Sequence, residues 1–177
     1  MTTRLIDESL FENPNDREHG DRQHGDRQVD DGGLDDVGLD DGDPPRLVGA
    51  RCSACHTVVF PRQDSCPRCA DGVMSEQVLP VRGRVWSWTL QAFPPKPPYR
   101  PPADGYRPYH VGYVDLGEVL VQARLAVPRE EIRIGLPVRL TLVPAYDSED
   151  GTKVVTFAFR PDRDEERWAG EQWAGER

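Results

Sequence analysis

The chain has 177 residues, 37% of them hydrophobic, with a formal net charge of −9 and a mean hydropathy of −0.67. The acidity sits at the ends: residues 1–43 carry 14 acidic against 4 basic side chains and 162–177 carry 6 against 3, whereas 44–161 carry 11 against 15. This excludes a uniformly acidic globule and leaves 118 central residues, enough for one compact domain or two very small ones.

The N-terminal block, 1–43, contains a tandem repeat, His19–Gln23 followed by His24–Gln28, and then an Asp/Gly run from Asp30 to Asp43. So little apolar surface cannot offset the entropy of ordering, so the block reads as a disordered acidic tail. Leu5, Ile6, Leu10 and Phe11 are spaced to share one face of a short helix, which would not stand alone. His19 and His24 are lone histidines in a polar stretch and make no metal site. No apolar run reaches the roughly 15–20 residues of a membrane span, which argues against membrane insertion. The first residues lack the apolar core of a secretory signal, so the expected location is cytoplasmic, where thiols stay reduced.

That compartment directs the four cysteines toward metal. Cys52-Ser-Ala-Cys55 and Cys66-Pro-Arg-Cys69 are two C-x2-C turns separated by ten residues. Each turn brings two thiolates to one point, and two turns across a short hairpin complete a tetrahedral four-sulfur shell that suits Zn2+, with iron in the same shell as the alternative. With every ligand supplied by the chain no coordination position stays open, so the metal is structural. Thr57-Val58-Val59-Phe60 supplies the hairpin, and residues 44–73 are read as a zinc ribbon. Metal knuckles favour glycine after the second cysteine, where φ turns positive; here His56 and Ala70 stand at those positions.

From residue 74 to 161 the pattern changes to period two. Strands are expected over 81–90, 111–116, 119–127, 138–143 and 154–159, with one helical turn at 128–132, where proline leads and acids follow. Trp86 and Trp88 share the parity of Arg82 and Arg84 on the first strand and are expected to turn inward or against the neighbouring loop. Five short strands with a helical turn between the third and fourth fit a small Greek-key barrel of the OB type. The fold class is therefore mainly β: a small four-cysteine zinc ribbon followed by a five-stranded OB-type barrel, with disordered acidic termini. Between the first two strands, residues 93–108 include seven prolines, giving a stiff extended loop suited to contact because little entropy is lost on binding. Residues 162–177 repeat Trp-Ala-Gly-Glu around Trp168 and Trp173, an interval of five that keeps no helical face, and read as a loose tail.

These segments together resemble a known family. Arg46–Cys52, Phe60-Pro61-Arg62 before Cys66-Pro67-Arg68-Cys69, Gly83–Thr89, Pro108–Leu116, Ile134–Val138 and Phe157–Pro161 are similar in order and kind to the rubredoxin-like zinc-ribbon plus OB-fold proteins that accompany thiolase-like and lipid-transfer-type acyl-CoA enzymes. Many relatives place a helix before the ribbon, where this chain has its Asp/Gly run. The resemblance implies a noncatalytic accessory subunit of an acyl-CoA thiolase or aldolase complex, steroid side chains being among the substrates, with catalysis on the thiolase-like partner. The residues agree: the cysteines are committed to metal, G-x-S-x-G is absent, and His110 has no evident triad.

Arginine suits phosphate through its bidentate fork, so Arg82, Arg84, Arg100 and Arg107, with Tyr99, Tyr106 and His110 near them in sequence, form the candidate contact set for a partner or for acyl-CoA. The alternative reading is a single-stranded nucleic-acid-binding module, since ribbons and OB barrels serve that purpose too. A central net charge of only +4 and an acidic tail argue against it.

Overall fold

Alternating apolar residues produce strands wherever one face can be buried, and here they produce two sheets. The computed structural model describes residues 3–12, 46–102 and 104–163. The first sheet is three-stranded and antiparallel, with β2 (Val48–Cys52) between β3 (Val58–Val59) and β4 (Met74–Val78). The second contains β5 (Arg82–Gln91), β6 (Tyr109–Asp115), β7 (Leu120–Leu125), β8 (Pro137–Asp147) and β9 (Lys153–Pro161). Its order runs β5-β6-β7-β9-β8 and returns to β5, because β8 pairs with both β9 and β5. The sheet is thus a closed barrel in which only the β7–β9 pair is parallel, the Greek-key arrangement of an OB-fold.

Inside the barrel Val85, Val114, Val121, Val138, Leu140 and Phe159 are almost wholly removed from water. Gly83 lets strands approach: a methyl there would collide with the Asp115 carbonyl oxygen and the Leu116 side chain. The ribbon shares this core, because Leu47, Val58 and Leu79 pack in the same cluster as the barrel residues. Leu79 N–H donates to the Leu47 carbonyl at 2.8 Å, and Arg51 of the ribbon meets Glu118 of the barrel at 2.5 Å.

The five barrel strands lie where period two places them, with three corrections of detail. First, 128–132 forms only a turn, closed by Glu131 N–H to the Pro128 carbonyl at 3.0 Å. Second, β8 runs on through Pro144 to Asp147, with a register irregularity between Pro144 and Tyr146 that accommodates the proline. Third, the β5–β6 register shifts between Val85 and Ser87, so Trp86 occupies a bulge and the strand parity reverses there. Val85 faces the core, Trp88 packs against it from further along, and Trp86 is left 55% exposed beside Tyr113.

The acidic ends differ from the expected tails where they are described. Thr3–Leu5 is a strand, β1, that pairs in parallel with Lys153–Val155 of β9. Glu8–Leu10 is a 3-10 turn capped by the Asp7 side chain, which replaces the expected helix. Phe11 follows as a core residue, bridged to Leu47 and packed edge-on against Phe157, which meets Phe60 the same way. At the other end Asp162 is buried against Arg82 rather than belonging to a tail. Arg163 also is described, 3.4 Å from Glu131, whereas residues 1–2, 13–43 and 164–177, with His19, His24, Trp168 and Trp173, lie outside the described residues.

Candidate functional site

The candidate metal site forms where two tight turns face each other. The first closes through His56 N–H to the Cys52 carbonyl at 3.0 Å, the second through Ala70 N–H to the Cys66 carbonyl at 2.9 Å. Both turns end in the left-handed region, with φ of 59° at His56 and 54° at Ala70, where glycine would be unstrained. The four Sγ atoms of Cys52, Cys55, Cys66 and Cys69 lie within 4.8 Å of one another. Cys52 to Cys69 is 3.6 Å and Cys55 to Cys66 is 3.5 Å. A tetrahedral four-sulfur shell with zinc–sulfur bonds of about 2.3 Å requires sulfurs about 3.8 Å apart, so the residues fit such an ion.

The electrostatics point the same way. Hydrogen bonding with the Thr57 hydroxyl and backbone lowers the Cys55 thiol to about 6, so it ionises readily. The Cys69 thiol, although contacted by the Asp71 backbone, is pushed up to about 12 by burial and the three neighbouring sulfurs. Four sulfurs this close cannot all carry charge without a cation among them.

The remaining candidate residues divide between two places. Arg82 and Arg84 lie at the start of β5, whereas Tyr99, Arg100, Tyr106, Arg107 and His110 gather around its far end and the proline loop. Arg84 pairs in register with Asp115 and Gln91 with Tyr109, which puts the two groups about 20 Å apart along the strand. Arg82 approaches Asp162 to 2.9 Å, as a charge contact rather than an aligned hydrogen bond. Arg84 donates to the Gly135 carbonyl at 3.0 Å.

At the far end the loop folds back on the barrel. Tyr106 donates to the Gln91 carbonyl at 2.5 Å, and its ring stands between Tyr99 and Tyr109, each 6.1 Å away. Burial, then the neighbouring Tyr109 and Tyr99, raises the pKa of the Tyr106 hydroxyl. Arg107 pairs with Asp104 at 2.5 Å, and Arg100 lies 5.6 Å from the Tyr146 ring centre. His110 stacks edge-on against Trp88 at 5.8 Å, with Arg129 over the same indole at 4.4 Å from its centre. Sequence reading missed Arg124, which lies 4.3 Å from the Tyr109 ring centre and donates to the Pro144 carbonyl. Its position opposite Val111 on the outer face of β7 was the available signal. Trp86 and Tyr113, half-exposed and 6.3 Å apart, form a second aromatic pair on the barrel exterior.

A four-cysteine ribbon joined to an OB barrel through one core defines a two-module protein whose ribbon carries four sulfurs placed to hold a metal ion. The family models agree, matching residues 39–75 as the ChsH2 rubredoxin-like zinc ribbon domain and 76–143 as the ChsH2 C-terminal OB-fold domain. The chain is 31% identical over 120 residues to a DUF35 domain-containing scaffold protein of Pyrococcus furiosus, covering 66% of this chain and 83% of that one. It is also 31% identical over 120 residues to the benzoylsuccinyl-CoA thiolase subunit BbsA of Thauera aromatica, covering 67% of this chain and 78% of the relative. Among solved structures, the Ltp2-ChsH2(DUF35) aldolase matches at 29% identity and a TM-score of 0.48, covering 66% of this chain and 84% of that chain. The chain belongs to the DUF35 family of ChsH2-type zinc-ribbon and OB-fold proteins, which accompany thiolase-like enzymes. Among the described residues no helix is long and apolar enough to cross a membrane.

Proposed function

We propose that this chain is a noncatalytic accessory subunit of a thiolase-like acyl-CoA thiolase or aldolase complex, acting in the cytoplasm. The observation that carries the reading is its likeness to a thiolase subunit across most of that subunit's length. The four thiols support the noncatalytic part. They fit a closed shell for structural Zn2+, which leaves neither a free nucleophile nor an open metal position. Bound there, the ion would cross-link the two turns and hold the ribbon against the barrel.

The partner and acyl-CoA contacts are assigned to the proline-loop end, where Tyr99, Arg100, Tyr106, Arg107 and His110 gather; the phosphates of CoA match guanidinium chemistry. Arg82 and Arg84 are assigned to holding the barrel, given their partners Asp162 and Gly135.

Purification of the tagged chain from its native lysate, with mass spectrometry of what accompanies it, tests the reading. A near-stoichiometric thiolase-like protein is expected, with activity on CoA thioesters that falls when this chain is removed. A partner fully soluble and active alone, or nucleic acid retained through moderate salt, would overturn it. Changing Arg100 and Arg107 together to Ala is expected to weaken partner or CoA binding about tenfold, with the metal content unchanged.

A further inference from the structure

The N-terminal residues 3–12 stand apart from the modules they touch. Neither sheet takes its closure from them: the ribbon has its three strands and the barrel closes through β5, β6, β7, β9 and β8. β9 meets β7 only at Ala158 and Phe159, so at Lys153–Val155 its side away from β8 is an edge, and β1 occupies that edge. Ile6 N–H extends the pairing to the Val155 carbonyl at 2.8 Å. Six residues beyond Leu5, Phe11 fills a slot bounded by Leu47 and Phe157. Between these two anchors Leu10 is partly buried against the core, whereas Ile6 is 45% exposed and the 3-10 turn has no fully buried residue.

The connection to the ribbon is of unusual length. Glu12 N–H donates to the Arg46 carbonyl at 2.8 Å, so the 33 residues 13–45 start and finish at one point of the fold. With 33 residues of sequence between Glu12 and Arg46, the chain is long enough for the arm to leave without displacing the ribbon.

We propose that residues 3–12 are a detachable ligand of their own chain, filling a peptide-binding site made by the Lys153–Val155 edge of β9 and the Phe11 slot. The site takes an extended segment that adds a short parallel strand to the sheet and places an aromatic side chain about six residues further on. This is strand addition with one side-chain anchor, a recognised mode of peptide capture. The tethered arm guards the site by its high effective concentration, and a competing segment gains access only when it outbids that tether. The site is distinct from the tyrosine and arginine cluster of the proline loop and does not depend on the nature of any partner enzyme.

The test uses the full metal-loaded chain with a specific protease sequence replacing residues 22–28. After cutting, a fluorescent peptide of residues 2–13 is added and its anisotropy followed, with metal content and circular dichroism recorded in parallel. The cut protein is expected to release its arm and bind the peptide saturably. The uncut protein should bind at least tenfold more weakly, and the peptide carrying Phe11→Ala should lose at least tenfold in affinity. Failure of the cut arm to exchange, with the protein folded, would overturn the proposal. Exchange accompanied by metal loss or barrel unfolding would overturn it equally, since the arm would then be an integral part of the core.

Discussion

Ribbon and barrel are both made of short, mostly antiparallel strands, yet different forces hold them. The ribbon's three strands are two to five residues long, and its loops converge on four sulfurs. The barrel's strands are six to eleven residues long and enclose an apolar interior. A small module that buries little on its own must borrow stability, either from a metal or from a neighbour's core. This ribbon is built to do both, through its cysteines and through Leu47, Val58 and Leu79.

Removing the metal should separate the two most sharply. Structural zinc contributes about 10 kcal/mol or more to modules of this kind. A strong chelator is therefore expected to abolish amide-exchange protection in β2 and β4 while the barrel amides of Val114 and Val121 stay protected. Equal loss in both would show that the metal supports the whole chain. The converse experiment is Phe159→Ala, which empties a fully buried position and should cost about 3–5 kcal/mol in denaturant unfolding. Metal stoichiometry in the folded protein should not change; if it does, the barrel is dictating the ribbon.

Next in size is Arg82→Ala. It would take this cation away from the buried Asp162 carboxylate, at a cost on the order of 3 kcal/mol, reduced by the partial exposure of Arg82. Adding Asp162→Asn should restore part of the loss, and a double-mutant cycle on the unfolding midpoints measures the coupling. The smallest effect is expected at Ala70→Gly. Relief of a left-handed alanine should raise ribbon stability by about 1 kcal/mol, read as slower metal release to a chelator. No change would mean that metal coordination, rather than backbone preference, sets the shape of the turn.

The two regions also differed in how openly the sequence displayed them. The cysteine spacing revealed the four-sulfur cluster because ligand geometry leaves few alternatives. Even the left-handed turns were visible, since His56 and Ala70 stand where glycine is favoured. The barrel was legible because its strands bury one face and alternate accordingly. What stayed hidden depends on distant partners. Thr3–Leu5 carries no alternation of its own and becomes a strand only because β9 offers an edge some 150 residues later. Phe11 looked like part of an acidic tail, and Asp162 like the beginning of another, until Phe157 and Arg82 were seen beside them. Trp86 was misplaced by a single bulge, because an inserted residue reverses strand parity without altering local composition. Of the seven contact candidates outside the ribbon, strand distance alone divided the set, since proximity in sequence is not proximity around a barrel.

Among the described strands, β9, which closes the barrel, is the last to leave the ribosome. The ribbon has all its strands once Val78 has emerged, and can fold early. The barrel must wait as an open sheet until residues 153–161 arrive, because only they fill the gap between β7 and β8. Among the described strands β1 waits longest. At translation rates of about 5–20 residues per second, Thr3–Leu5 remains without its partner for on the order of ten seconds after it is made.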